Sequence, residues 1–416
     1  MWQALGMRDF VELFSNTRFR TLWFARIISN LGNGMAPIAL SFGVLEIEGA
    51  DAGDLGIVLA AQAIPIVLML PFGGVISDRL PRAKVISVTD MLLSGFIITM
   101  GWLFLTDNAT ILNLSLLNIV AGILNAIWWP AFPGIVPAVM QERDLNKANA
   151  VLAIASNAGL ISGAAVAGAL VTAFGSGWAI VIDGLTFLIA GVLVWRLRHL
   201  TPRTPSSGKS VVGDLVHGFD TFMSFRWVWV IVAAFSVIVA CMRAGFDVSG
   251  PVLFKSEYGG AAAYSIVQTM LAVGYLLGAV FATKYKPQRP LVFCLIVTLT
   301  MPLQFVMLSL GLPVWVLAIG AMLVGMSFEQ WGVHWTTALQ THIPRESLSR
   351  VSAFDAMGSL ILGPVGLAVA GPLIGAFGVS AVLQGAAVIT TVMLLLPFLE
   401  REVWNLRHAE PATEGA

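Results

Sequence analysis

The sequence predicts an all-α membrane protein of twelve transmembrane helices in two pseudo-symmetric six-helix bundles. Three observations carry this. Hydrophobic types make up 57% of the 416 residues and charged types only 11%, too few charges to coat a water-soluble chain, where about a quarter is usual. Apolar stretches of roughly 20 residues, the length that crosses a bilayer as a helix, recur twelve times. Basic residues gather on one side of the loops that these stretches define.

In chain order the expected spans are 20–46, 53–77, 83–105, 109–137, 145–172, 175–195, 225–250, 261–283, 289–310, 313–339, 348–375 and 379–400. Several are long enough to tilt or to project past the hydrocarbon. The longest polar interval, 196–224, is rich in Pro, Ser, Gly and basic residues and reads as a linker. The expected organisation is an N-terminal six-helix bundle at 1–196, a cytoplasmic linker at 197–224, a C-terminal bundle at 225–405 and a cytoplasmic tail at 406–416.

Orientation follows from charge. With both termini inside, twenty of the 23 basic residues fall in cytoplasmic segments, and the outer loops hold only Lys255. Arg26 and Arg243 remain, both within spans. Lys and Arg accumulate on the cytoplasmic side, so an even number of spans with both ends in the cytoplasm is expected. The N-terminal segment has no apolar core or small-residue cleavage site, and no cleaved signal peptide is expected. Formal net charge is zero, so nothing favours a nucleic-acid partner. Cys241 and Cys294 lie inside apolar runs and read as packing residues.

The halves repeat each other at an offset of 203 positions. Gly122 matches Gly325, Trp128 matches Trp331, Ala167-Gly168 matches Ala370-Gly371, and Phe174-Gly175 matches Phe377-Gly378. Parallel repeats related by an axis along the membrane normal are a transporter architecture, with the substrate site near the midplane.

The loop after the second span reads Gly74-Val75-Ile76-Ser77-Asp78-Arg79-Leu80-Pro81-Arg82-Ala83-Lys84. It resembles the G-x-x-x-D-R-x-x-R-[RK] signature of the major facilitator superfamily, with Pro81 in place of the usual Gly and the last basic residue shifted to Lys84. The resemblance implies the major facilitator fold and a cytoplasmic gate made by Gly74, Asp78, Arg79, Arg82 and Lys84. The plainer reading is an ordinary positive-inside loop. Asn16–Trp23, Ile28–Asn33, Ile343–Ala353 and Gly363–Pro372 together look like the facilitator branch that holds bacterial macrolide-efflux proteins and the enterobactin exporter. That resemblance implies a bacterial inner-membrane location and export of a drug, antibiotic or siderophore, with antibiotic resistance as a consequence. Asn33 stands where many relatives carry an acidic residue. Asn118 stands where the family has a basic residue on the fourth helix. Gly159, Gly163 and Gly168 resemble the fifth-helix exporter motif, with Ala164 where Pro is usual. With Gly363, Pro364 and Gly366 they form a small-residue pattern that permits tight helix contact.

Ionisable residues inside spans are costly, at least roughly 2.5 kcal/mol each at a helix centre, so each is expected to face a partner or a wet cavity. Arg243 and Asp247 lie four apart and can pair on one helix face. Arg26 and Asp90 lie at similar depth on the first and third helices, and a pairing is open. Asp183 and Glu329 have no local partner and, with Asp90, are the candidates for proton coupling. Glu329 is preferred, because it lies among Phe328, Trp331, His334 and Trp335 and its repeat counterpart is Ala126. The alternative for each carboxylate is a packing role. Asn33, Trp128, Trp129, Trp331, His334 and Trp335 are candidates for the inner cavity, the tryptophans alternatively for the interfacial belt.

No metal-ligand cluster, nucleotide-phosphate loop or catalytic triad is recognisable, so no catalytic residue, metal or cofactor is expected. The expected function is proton-coupled efflux of a small amphipathic molecule by an antiporter that is not an enzyme and acts as a monomer in the lipid bilayer. Proton-coupled uptake or exchange of a metabolite is one alternative. A non-transporting sensor or lipid-handling protein is another.

Overall fold

The computed structural model describes residues 13–199 and 219–406. Most of the expected linker and tail, at 200–218 and 407–416, lies outside the described residues. Those described contain twelve helices long and apolar enough to span a bilayer, and no strand. They are α1 (Thr17–Glu46), α2 (Ala52–Arg79), α3 (Arg82–Leu105), α4 (Ile111–Gly134), α5 (Leu145–Phe174), α6 (Ser176–Trp195), α7 (Arg226–Glu257), α8 (Ala261–Lys284), α9 (Pro290–Ser309), α10 (Val314–His342), α11 (Val351–Phe377) and α12 (Val379–Leu399). Their outer faces expose large apolar side chains such as Leu68, Phe72, Leu112 and Val388. Such a surface is matched by lipid rather than water.

Local chemistry sets the helix ends. Asn16 accepts from the backbone N–H groups of Arg18 and Phe19 and starts α1. Asp51 and Asp54 form a reciprocal capping box at α2, and Thr110 and Asn113 do so at α4. Gly175 ends α5 and Gly378 ends α11, with φ of 82° and 81°, a left-handed conformation that only glycine adopts without strain. These two glycines are a matched pair of the sequence repeat.

Packing extends that repeat. Gly122 of α4 lies against the Gln62 carbonyl of α2, and Gly325 of α10 against the Leu271 carbonyl of α8. Gly163 of α5 lies against the Leu31 carbonyl of α1, and Gly366 of α11 against the Ala240 carbonyl of α7. Gly168 meets Ala261, and Gly371 meets Ala52 and Gly53. In every pair the glycines are 203 positions apart, while their partners Gln62/Leu271, Leu31/Ala240 and Ala52/Ala261 are 209 apart. Of these partner pairs only Ala52/Ala261 is an identity, because the partner contributes mainly backbone at these crossings.

The loop end opposite the chain termini is called the distal end. There the first six helices meet the last six. Gly168 of α5 sits on α8, and Gly56 and Gly53 of α2 sit on Leu367 and Gly371 of α11. Phe42 packs on Tyr264 with ring centroids 5.7 Å apart, and Lys255 Nζ donates to the Leu45 carbonyl. At the other end, Phe19, Leu22, Ile86, Ile135 and Leu152 belong to a core built from the first six helices alone.

Helix α7 runs seven residues beyond its expected end at 250. Pro251 reads as a terminator, but Arg243–Ser249 is wound as a π-helix, with the Gly250 N–H bonded to the Gly245 carbonyl. In that register the Phe246 carbonyl is the one left unpaired by Pro251, which has no N–H. Tyr264 Oη donates to it at 2.9 Å. The helix therefore passes through the proline.

Candidate functional site

A cavity of about 200 Å³ lies between the first and last six helices. Asn33 of α1, Gln62 of α2, Asn118 and Asn125 of α4 and Asp183 of α6 line one wall; Arg243 and Asp247 of α7 and Tyr264 of α8 line the other.

Asp183 is placed by the contact of α6 with α1. Gly32 faces it so closely that a Cβ there would collide with Asp183 Oδ1 and Thr186 Oγ1. Asp183 is 3% exposed and its Oδ1 has no hydrogen-bond partner. Across the cavity, Arg243 Nη1 donates to Asp247 Oδ2 at 2.7 Å. The π-winding carries both residues at the cavity face, and the Arg243 stem passes 3.8 Å from the position of a Cβ on Gly363. Gly363 faces Val239 and Arg243 at ordinary contact distance, and Gly366, against the Ala240 carbonyl, lets α11 lie close to α7 just before the charged pair.

Other sequence candidates lie elsewhere. Glu329 does not line this cavity. It is half-buried and faces α8, where a Cβ on Gly278 would sit 2.8 Å from Glu329 Cβ. The next residue, Gln330, donates to the Gly278 carbonyl at 2.6 Å, and its Oε1 lies 3.2 Å from His334 Nε2. Because the Gln330 amide nitrogen is engaged, that contact places the proton on His334 Nε2. Trp331 stacks on Phe235 with centroids 4.0 Å apart and on Trp335 at 5.8 Å. Trp335 Nε1 donates to Asp355 Oδ2 at 2.9 Å. These aromatics and His334 are packed within the last six helices, away from the cavity. Trp129 is exposed on the outer surface.

Arg26 and Asp90 share a region at the terminal end. Arg26 Nε donates to Ser156 Oγ at 2.9 Å, and the guanidinium lies 4.2 Å from the Phe132 centroid and 5.3 Å from that of Trp128. It forms no direct ion pair with Asp90, which is 3% exposed and has one carboxylate oxygen without a hydrogen-bond partner. Of the gate motif, Gly74, Asp78 and Arg79 lie on the helical backbone of α2, and the side chains of Asp78 and Arg79 are outside the described part of the structure. Arg82 opens α3 and fills the space beside Gly134; Lys84 is exposed. Gly159 and Gly163 interlock α5 with Ile27, Leu31 and Gly34 of α1.

The amides Gln62 and Asn125, and Tyr264, are cavity residues that a search for charges passes over. Their signal was present as polar groups within otherwise apolar spans.

Comparison with known proteins places this architecture. The model of the Major Facilitator Superfamily matches residues 22–366. The multidrug efflux pump Tap of Mycolicibacterium fortuitum is 25% identical over 408 residues, covering 94% of this chain and 97% of that protein. The enterobactin exporter EntS of Escherichia coli is 24% identical over 374 residues, covering 85% and 86%. A crystal structure of the nucleoside transporter NupG, in a mutant form, superposes with a TM-score of 0.77 at 13% identity, covering 92% of this chain and 99% of that one. A bacterial homologue of the lysosomal transporter Spinster, crystallised inward-facing, gives 0.68 at 16% identity, covering 95% and 99%. With the family model spanning most of twelve apolar helices, this chain belongs to the Major Facilitator Superfamily and is a multi-pass membrane transporter, not an enzyme.

Proposed function

We infer that this transporter is a proton-coupled exporter of small amphipathic compounds that works by alternating access. The observation that carries the reading is Asp183, a buried carboxyl group with no cation beside it, on the wall of the cavity between the two sets of helices. A proton-driven carrier needs an ionisable group that reaches a wet cavity and whose charge is not fixed by a permanent partner. Asp247 is held by Arg243, and Glu329 lies off the cavity. Asp183 therefore replaces Glu329 as the preferred coupling residue. The export direction is supported by two relatives, which are named as an efflux pump and an exporter.

In this reading 1–196 and 225–405 rock as two units about the cavity, joined by the 197–224 linker. The monomer sits in a bacterial inner membrane with both termini cytoplasmic, the distal end outside, and the Gly74–Lys84 loop closing the inner mouth in the opposite state. The separate terminal-end core of the first six helices supports an inward-facing arrangement here.

The test uses the purified chain in liposomes with an imposed pH gradient and a screen of macrolides, dyes and siderophores. Gradient-driven accumulation of at least one compound is expected in the wild type and in Glu329→Gln, and its loss in Asp183→Asn. Retention of full accumulation by Asp183→Asn would remove Asp183 from coupling. Movement of compounds with no dependence on the gradient would remove the proton.

A further inference from the structure

Lys255 is the exception to the charge asymmetry of the sequence. It is the one basic residue in the expected outer loops, against twenty in cytoplasmic segments. A cation on that side works against the bias that orients the spans. Its place in the fold gives it a specific task. Lys255 lies in the final turns of α7, the part that continues past Pro251 while Tyr264 takes up the Phe246 carbonyl. From there its Nζ donates to the Leu45 carbonyl in the last turn of α1. The bond runs from the last six helices to the first six.

The internal repeat shows why α1 accepts that bond. At the offset of 209 that relates α1 to α7, Leu45 corresponds to Phe254 and Glu46 to Lys255. The two helices end differently at this matched position. Helix α7 caps itself. Gly259 and Gly260 take φ of 81° and 87°, and the backbone N–H groups of Tyr258 and Gly260 both donate to the Phe254 carbonyl, at 3.2 and 2.8 Å. At the end of α1 the Ile47 N–H bonds to the Val44 carbonyl and the Ala50 N–H to that of Ile47. Among the described residues no backbone N–H reaches the Leu45 carbonyl. Leu45 is also buried, at 5% exposure, so water is poorly placed to serve it. The C-terminus of a helix favours a cation, and Lys255 brings one from the opposite bundle. The cap of α1 is therefore complete only while the distal end is shut.

We propose that Lys255 is the outer latch of the transport cycle, a cap on α1 supplied in trans that stabilises the distally closed state and lets go when the distal end opens. This rests on the reading of alternating access with the distal end outside. It does not rest on proton coupling or on the identity of the substrate. Lys255 is a positioning residue, acting through α1 rather than on the transported molecule.

Side-specific labelling tests the latch. Cys241 and Cys294 are replaced by alanine. Leu40→Cys, on the cavity wall and about 9 Å from the distal end of α1, reports which face has access. A membrane-impermeant maleimide is applied to right-side-out and to inside-out vesicles. With Lys255 in place, labelling is expected to be slow from the outside and fast from the inside. Lys255→Met should raise the outside rate about fivefold without raising the inside rate, the shift expected when one state alone loses a cation from a helix C-terminus. Lys255→Gln, uncharged and one atom shorter, should act in the same way and serves where the methionine variant folds poorly. Lys255→Arg, which keeps the charge and the donors, should return the outside rate to near that of the wild type. Glu257→Gln, at an exposed position two residues away, should leave it unchanged. The latch is overturned by an outside rate that neither uncharged variant moves, by a rise on both faces together, by no recovery in Lys255→Arg, or by an equal rise in Glu257→Gln. If the same shifts appear with the two faces exchanged, the latch stands and the proposed orientation fails.

Discussion

Asp183 depends on a neighbour with no side chain. A methyl group on Gly32 would overlap Asp183 Oδ1 and Thr186 Oγ1, so Gly32→Val is expected to displace the carboxylate and to destabilise the protein by about 1–3 kcal/mol, the usual cost of overpacking. Gly95→Val, where a Cβ meets nothing within 4 Å, is the matched control. Thermal unfolding in detergent, together with gradient-driven uptake into liposomes, separates the two; equal behaviour would show that the Gly32 contact does not matter. Tyr264 gives a second residue-scale expectation. Tyr264→Phe removes the donor to the Phe246 carbonyl and should cost about 1–3 kcal/mol, the penalty for a buried polar group left unsatisfied. Restoring a backbone N–H with Pro251→Ala should recover much of that loss in the double variant, and an additive loss would refute the link. The sequence revealed Asp183, Arg243 and Asp247 because charge inside an apolar run is conspicuous. It favoured Glu329 over Asp183 because an aromatic neighbourhood in sequence suggests a cavity, whereas in the helix those aromatics pack against one another and against α7 and α11. Where Glu329 points is decided by the packing of Gly278 of α8 against it, a contact between two helices that periodicity does not encode.

At the scale of elements, the fold is a set of close helix crossings in which one side gives a glycine and the other gives a carbonyl. Without a hydrophobic driving force between helices in lipid, such close approach is a main source of association. Gly163 on Leu31 and Gly366 on Ala240 are equivalent crossings. Gly163→Leu and Gly366→Leu should therefore be similarly harmful, each lowering the melting temperature and the yield of monodisperse protein, while Gly385→Leu, with open space around it, should be neutral. A large difference between the first two would break the equivalence. The asymmetry of these contacts also explains which part of the repeat could be read. The glycines of α4, α5, α10 and α11 must stay small, so Gly122/Gly325 and Gly168/Gly371 persist as identities at offset 203. Their partners on α1, α2, α7 and α8 supply mainly backbone, which many residues provide, so the 209 register is marked only by common apolar identities such as Ala52/Ala261 and Val58/Val267 and is hard to pick out in an apolar chain. The twelve spans were legible within a few residues because lipid demands long apolar runs. The α7 end was not, since a proline normally ends a helix and nothing local announces that Tyr264, on another helix, will satisfy the carbonyl it leaves bare.

At the scale of the whole molecule, the two sets of helices are joined tightly at the distal end, and alternating access requires that joint to open. The α5–α8 contact provides a clamp: a Cβ on Gly168 falls 2.6 Å from Ser265 Cβ, and a modest separation brings the pair to the roughly 3.5–4.5 Å between Cβ atoms that a disulfide requires. In a background with Cys241 and Cys294 replaced by serine or alanine, the Gly168→Cys/Ser265→Cys pair should oxidise readily. Cross-linking should then hold the distal end shut and stop net transport, and reduction should restore it. Each single cysteine should remain active under oxidant, which separates locking from the cost of crowding at Gly168. Substrate binding is expected to survive the lock, because the cavity lies below the joint and its walls do not include either cysteine. Transport at an undiminished rate by a fully cross-linked protein would mean that this end does not open during the cycle, and the rocking mechanism would have to be replaced by one in which substrate leaves by another route.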